Sequence, residues 1–86
     1  MVTYRILYWQ EVPVQIKAEG DDDEASLELP SRFMEHVDRL AAQRGLQSSD
    51  DYLAQWKWSD DEEREGDSAQ AVAEAIKQEL EAQDNW

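Results

Sequence analysis

One amphipathic helix that ends at a glycine constrains this chain more than any other feature. Within residues 27–58, four apolar side chains recur on a single helical stripe, made by Phe33, Val37, Leu40 and Ala41. Pro30 stops the preceding segment, and Gly45 stands where a left-handed residue commonly ends a helix. This pattern predicts a core-facing helix over 31–44, and the rest of the chain is expected to cover its apolar face.

Three segments before this helix have the composition of β-strands. Residues 3–10 are rich in aromatic and branched side chains and carry apolar groups on both faces, which predicts a central strand. Residues 14–19 and 24–29 alternate apolar and polar side chains, and an acidic turn at Gly20 joins them. We expect a turn or bulge at 11–13, because Pro13 cannot donate a hydrogen bond to a central ladder.

Two more helical segments are predicted after Gly45. Candidate N-cap serines followed by two aspartates favour a helix over 49–58, and an apolar stripe predicts a last helix over 68–83. Residues 60–66 read as a charged linker, and residues 84–86 are expected to fray. The predicted fold is α+β, a three-stranded antiparallel β-meander followed by three helical segments packed on one face, in a single domain over 1–86.

Charge and composition exclude several classes of function. The 21 acidic and 8 basic residues give a net charge of -13, which disfavours binding to nucleic acid or to anionic membranes. This acidic excess is typical of proteins from salt-loving organisms. The chain has no cysteine, which excludes disulfides and thiolate metal sites. Because the chain has no recognisable secretory signal and no apolar run of about 20 residues, we expect a cytoplasmic protein.

No pattern of residues indicates catalysis, a cofactor or a metal. His36 is the only histidine, whereas a metal site normally needs several spaced ligands. The acidic run from Asp21 fails as a calcium loop, because Ser26 replaces the required glycine and Arg32 the required glutamate. We therefore expect no catalytic, cofactor-binding or metal-binding residue, and the sequence favours a protein without enzymatic activity over an enzyme.

The tryptophans are the most informative candidates for function. Trp9, Trp56 and Trp58, together with Glu11, are candidate partner-binding residues, because aromatic anchors dominate the energetics of interfaces. The other interpretation is that these tryptophans form a satellite core between the helices and the sheet. This interpretation is favoured for Trp9 and Trp56, whereas for Trp58 the core and the partner-binding interpretations carry equal weight. On the predicted helix, Trp56 and Trp58 would not share a face.

Two other functions stay open at this point. A small-molecule-binding protein or enzyme subunit would use the carboxylate of Glu11 with Tyr8. A dimer of the ribbon–helix–helix type would use residues 24–29 as its strand, with Glu24, Ser26 and Glu28 facing DNA. Carboxylates at those positions oppose docking to phosphates, and the preceding strand competes for the strand edge.

The segments YRILYWQEVPVQIKA, LELPSRFMEHVDRLAAQRGL, DDYLAQWKW and EEREG resemble a small bacterial family called virulence factor. A similar domain is attached to the staphylococcal protein named conserved virulence factor C. The resemblance runs from about Tyr4 to the last helix, and its most specific parts are 8–13 and 56–58. It implies no established activity, cofactor or catalytic residue. It also implies an accessory role linked to one-carbon metabolism. The absence of a catalytic pattern and the candidate aromatic residues favour a non-catalytic accessory or interaction module that binds a protein partner.

Overall fold

The structure is a computed structural model that describes residues 1–83. The chain forms eight elements: β1 (Val2–Trp9), β2 (Val12–Glu19), β3 (Glu24–Glu28), α1 (Ser31–Gln43), α2 (Ser49–Leu53), β4 (Trp56–Trp58), β5 (Glu62–Arg64) and α3 (Ala69–Ala82). The α+β prediction is therefore confirmed. The fraying expected for residues 84–86 lies outside the described residues.

All five strands belong to one antiparallel sheet with β1 near its centre. Its order is β3-β2-β1-β4, and β5 pairs with β1 on the same side as β4. The predicted three-stranded meander is thus correct for β1 to β3, but the sheet is larger than predicted. The two strands that were missed come from the chain after α2, and they cover the edge of β1 that the meander leaves open.

The predicted helix over 49–58 is wrong beyond Leu53. Residues Trp56–Trp58 form β4, which pairs with β1 through Trp9↔Trp56 and Leu7↔Trp58. Aromatic side chains fit a pleated surface well, and the open edge of β1 supplies the hydrogen-bonding partner. Capping is as predicted at the start of α2, where the Ser48 hydroxyl accepts a hydrogen bond from the Asp51 backbone N–H.

The charged linker predicted over 60–66 also contains a strand. Glu62–Arg64 pairs with Val2, Thr3 and Tyr4 at the beginning of β1. The Tyr4 hydroxyl donates a 2.8 Å hydrogen bond to the Glu62 carboxylate, which adds a side-chain contact to this short ladder. The strand has no apolar alternation, so only the partner strand reveals it.

A bulge and a tight turn join β1 to β2. Pairing shifts between Leu7↔Gln15 and Tyr8↔Pro13, so one residue of β2 is skipped. The reversal falls at Gln10, whose φ of 53° is left-handed. Pro13 therefore lies inside β2 beside the bulge, and the turn comes earlier than the residues 11–13 that the sequence indicated.

Apolar side chains from the first three strands form the centre of the core. Ile6 pairs with Ile16, which pairs with Leu27, so these cross-strand neighbours lie on one face of the sheet. Helix α3 packs across β1, β2 and β3, whereas α1 packs against β2. The predicted stripe of α1 is buried, and Gly45 has the left-handed φ of 70° that its position required. The placement of all three helices on one face stays a prediction.

The acidic turn between β2 and β3 is tied to the start of α3. The Asp23 carboxylate accepts a 2.9 Å hydrogen bond from the Ala69 backbone N–H, while the Asp23 carbonyl accepts one from Gly20. Ser68 caps the same helix through a hydrogen bond from the Ala71 N–H. This turn therefore has a structural role and links the sheet to its covering helix.

Candidate functional site

Trp9 is an anchor of the core. Its side chain is 0% exposed, and its indole N–H donates a 3.0 Å hydrogen bond to the Tyr52 carbonyl. The Tyr52 ring lies 5.7 Å from the Trp9 ring and 6.0 Å from the Trp56 ring, between centroids. These distances are typical of aromatic pairs. The buried Trp9 ring offers no surface to a partner, which fits the satellite-core interpretation favoured for Trp9 and for the half-buried Trp56.

Trp58 is placed differently, although it is only two residues further along β4. Alternate residues of a strand share a face, so Trp56 and Trp58 point to the same side of the sheet. Trp56 is covered by Tyr52, whereas Trp58 is 41% exposed beside Leu7, its cross-strand partner. The expectation that the two rings lie on different faces was wrong because it assumed a helix. Their different exposure comes from what covers each ring.

Arg5 completes the surroundings of Trp58. Its guanidinium carbon lies 5.2 Å from the centroid of the Trp58 ring, within the range of cation–π contacts. The same guanidinium is 3.8 Å from an Asp61 carboxylate oxygen, in a partly exposed ion pair. We call Arg5, Leu7 and Trp58 the Trp58 surface. It presents one large aromatic ring whose position is fixed by a strand and by a stacked cation.

Glu11 is held by an ion pair. Both terminal nitrogens of the Arg44 guanidinium donate to its carboxylate, at 2.7 and 3.0 Å, and Arg44 also donates to the Gln10 side chain. The hydrogen bonds from Arg44 lower the pKa of Glu11, whereas burial raises the pKa of Tyr8. A carboxylate that acts as a general base near neutral pH needs a raised pKa. The geometry therefore gives Glu11 a structural role: its ion pair with Arg44 connects the C-terminal end of α1 to the β1–β2 turn.

This ion pair makes the stability of the protein depend on pH. A pKa lowered by folding stabilises the folded protein above the ordinary value of 4.5, and the stabilisation is lost as the pH falls through the folded-state pKa. We expect Glu11→Gln to lower the free energy of unfolding by less than about 1 kcal/mol at neutral pH, because the pair is exposed. That difference should shrink as the wild-type carboxylate protonates.

Urea denaturation at about pH 7 and at about pH 3 measures this difference. Glu65→Gln is the matched control, because it removes the same charge from an exposed residue that forms no ion pair in the described part of the chain. An effect of Glu11→Gln that is equally large at both pH values would contradict a contribution from the ionised pair.

The depressions beside the β2–β3 turn are polar and acidic. They are lined largely by Asp21, Asp22 and Asp23, whereas small-molecule sites are mostly apolar. Within residues 1–83, no group of three His, Asp or Glu side chains could hold a metal ion. Over the same residues, no helix has the length and apolar character that crossing a membrane requires.

Two members of the Trp58 surface were not among the predicted site residues. Arg5 and Leu7 alternate with Trp9 along β1, and the sequence does show that these three share a face. The sequence did not show that residues 56–58 lie beside β1, because they were expected to be helical. Reading Trp56-Lys57-Trp58 with a period of two would have placed both tryptophans on one face, and the pairing of β4 with β1 makes this the face of Leu7.

Residues 1–83 thus form a small α+β domain with a partly buried aromatic cluster, made by Trp9, Tyr52 and Trp56, and with Trp58 exposed. The sequence model of a protein family described as Virulence factor matches residues 7–85. Because the match covers most of the 86 residues, the chain belongs to the virulence factor family. No curated protein and no solved structure matches the chain.

Proposed function

We propose that this protein is a non-catalytic interaction module that binds a partner protein through the Trp58 surface. The observation that carries the proposal is the Trp58 ring, which is 41% exposed on a strand and stacked against Arg5. Exposed aromatic anchors in a fixed orientation cost little conformational entropy when a partner covers them. The proposed partner places apolar side chains against Trp58 and Leu7.

The occupant we propose is a different protein and not a second copy of this chain. Two copies, each with a net charge of -13, repel one another, and the repulsion weakens only as salt screens it. A partner of opposite or lower charge avoids this cost. The family resemblance makes an enzyme of one-carbon metabolism the first partner to test.

Replacing Trp58 with alanine tests the proposal. We expect the affinity for the partner to fall by about 30-fold, since a hot-spot residue contributes about 2 kcal/mol or more. The variant should stay folded, but the free energy of unfolding should fall by about 1–2 kcal/mol, because the 41% exposed side chain is otherwise covered and lies beside Leu7 and Arg5. The partner is first isolated with the tagged protein from cells that naturally express it, at their own salt concentration, and then purified for calorimetric titration.

Leu53→Ala is the matched control, because Leu53 is 63% exposed and lies on α2, outside the Trp58 surface. The control should bind the purified partner as the wild type does. If Trp58→Ala binds equally well, or if both variants weaken binding alike, the Trp58 surface is not the docking site. A protein that co-purifies but fails to bind when both components are pure would likewise refute the proposal.

A further inference from the structure

The outer strand of the sheet, β3, has an edge that the described residues leave open. Strand β3 stands at one end of the order β3-β2-β1-β4 and pairs, within residues 1–83, with β2 alone. The edge of β1 on the side away from β2 is instead covered by later segments of the chain. Ile6 exchanges hydrogen bonds there with Ser59, at 2.9 and 2.8 Å, between the ladders of β4 and β5. Later segments of the chain thus cover the free edge of β1, whereas no strand within residues 1–83 covers that of β3.

The direction of the backbone groups identifies which residues form this edge. The Leu29 N–H donates a 2.9 Å hydrogen bond to the Val14 carbonyl, so the backbone of Leu29 points toward β2. Backbone groups alternate along an antiparallel strand, and those of Leu27 and Ala25 therefore also point toward β2. The N–H and C=O groups of Glu24, Ser26 and Glu28 point outward. We call these three residues the β3 edge.

All three side chains of the β3 edge are exposed, and two of them are acidic. Glu24 and Glu28 flank Ser26, and the adjoining turn adds Asp21 and Asp22, which are exposed as well. A second copy paired antiparallel about Ser26 would place Glu24 opposite Glu28 of the other chain. Like charges directly opposite one another destabilise a strand pair, and the net charge of -13 on each chain adds repulsion. The same carboxylates repel phosphates, so DNA is an equally poor occupant.

We propose that the β3 edge binds an extended, basic segment of a partner protein, which adds to the sheet as a further strand. Unpaired backbone groups on a strand edge are a template for such pairing, and side chains at alternate positions determine its specificity. A lysine or arginine at two positions four residues apart would lie opposite Glu24 and Glu28. A small polar residue midway between them would lie opposite Ser26, which already accepts a 2.8 Å hydrogen bond from the Gln15 side chain. Apolar residues at the intervening positions would extend the face that carries Ala25 and Leu27. This proposal does not depend on the Trp58 surface.

The probe is a capped seven-residue peptide of sequence Thr-Lys-Val-Thr-Val-Lys-Thr, titrated into the full chain at an ionic strength of about 0.15 M. Binding is followed by fluorescence anisotropy, and hydrogen exchange follows the backbone amides. We expect the peptide to slow the exchange of the Glu24, Ser26 and Glu28 amides, because these N–H groups acquire acceptors only if a strand is added. A peptide that does not bind, or one that binds without protecting these amides, would overturn the proposal.

Two controls separate a strand from non-specific attraction between charges. The first is the same peptide methylated on the backbone nitrogen of its central threonine, which keeps the charge but cannot form the ladder, and it should not bind. The second compares Glu24→Gln/Glu28→Gln, expected to weaken binding roughly tenfold, with Glu35→Gln/Glu65→Gln, expected to leave it unchanged. Equal binding of both peptides, or equal weakening by both double variants, would show that peptide binding depends on net charge alone and not on an added strand.

Two measurements distinguish other occupants and the other proposal. Analytical ultracentrifugation of the protein alone should give a monomer, whereas a dimer with already protected β3-edge amides would assign the edge to a second copy and refute the basic partner. Trp58→Ala should bind the peptide normally. Loss of peptide binding in this variant would place the peptide on the Trp58 surface and overturn the assignment to β3.

Discussion

Replacing Trp9 with alanine is expected to lower the free energy of unfolding by about 3–5 kcal/mol. Trp9 is 0% exposed, so its removal leaves a cavity beside Tyr52. The variant also removes a hydrogen bond to the Tyr52 carbonyl, which then accepts only from the Gln55 backbone N–H among residues 1–83, and it takes away an aromatic neighbour of Tyr52. Because small domains have about 5–15 kcal/mol of total stability, this loss is a large fraction of it.

Urea denaturation followed by far-ultraviolet circular dichroism measures the loss, since the substitution itself removes a fluorophore. Trp9→Phe keeps most of the apolar area and should retain more than half of the stability that alanine loses. Leu53→Ala, at a 63% exposed residue, should lie within about 0.5 kcal/mol of the wild type. All variants are compared at one salt concentration, because salt screens the repulsion within a chain of net charge -13 and thereby changes its stability. A Trp9→Ala protein as stable as Leu53→Ala would contradict the buried placement of the ring.

Replacing Ile16 with alanine is expected to cost about 2–5 kcal/mol. Ile16 is 0% exposed, and it stands in the middle of the cross-strand row that joins Ile6 to Leu27. Helices α1 and α3 both pack against β2, the strand that carries Ile16. The loss therefore reports on the register of all three strands as well as on the packing above them.

A series at the same position separates burial from other effects. Ile16→Val removes one methylene and should cost about 0.5–1.5 kcal/mol, between the wild type and alanine. Lys17→Ala, at the next residue, changes a side chain of the opposite face and should have a small effect. Because a shift of register by one residue would exchange these two faces, a larger loss for Lys17→Ala than for Ile16→Ala would refute the observed pairing.

The aromatic segment around Trp56 illustrates what a local pattern leaves undecided. Ser48 begins a helix as its chemistry requires, yet the helix ends at Leu53. From there the chain pairs with β1, which lies more than 40 residues earlier. Tertiary pairing overrides a weak helical preference because backbone hydrogen bonds with an open edge are available. The same argument applies to Glu62–Arg64, whose composition alone gives no reason to expect a strand.

The candidate surfaces follow from these pairings. The sequence places Trp58 near other aromatic residues, but it does not decide which ring is covered. That choice depends on where Tyr52 lies relative to β4, and Tyr52 contacts the ring of Trp56 from α2. Likewise, the charges of Glu24 and Glu28 are visible in the sequence, whereas the free direction of their backbone groups depends on which side of β3 is occupied by β2.

The sequence by itself determined the α+β class, the first three strands, the buried stripe of α1 and its glycine end, and the apolar face of α3. These features depend on periodicity and capping, which neighbouring residues carry. The tertiary structure alone decided that residues 56–58 and 62–64 join the sheet, that Trp9 is buried while Trp58 is exposed, and that β3 keeps an open edge. These features depend on contacts between residues far apart in the chain, and in one sequence no local pattern records such contacts.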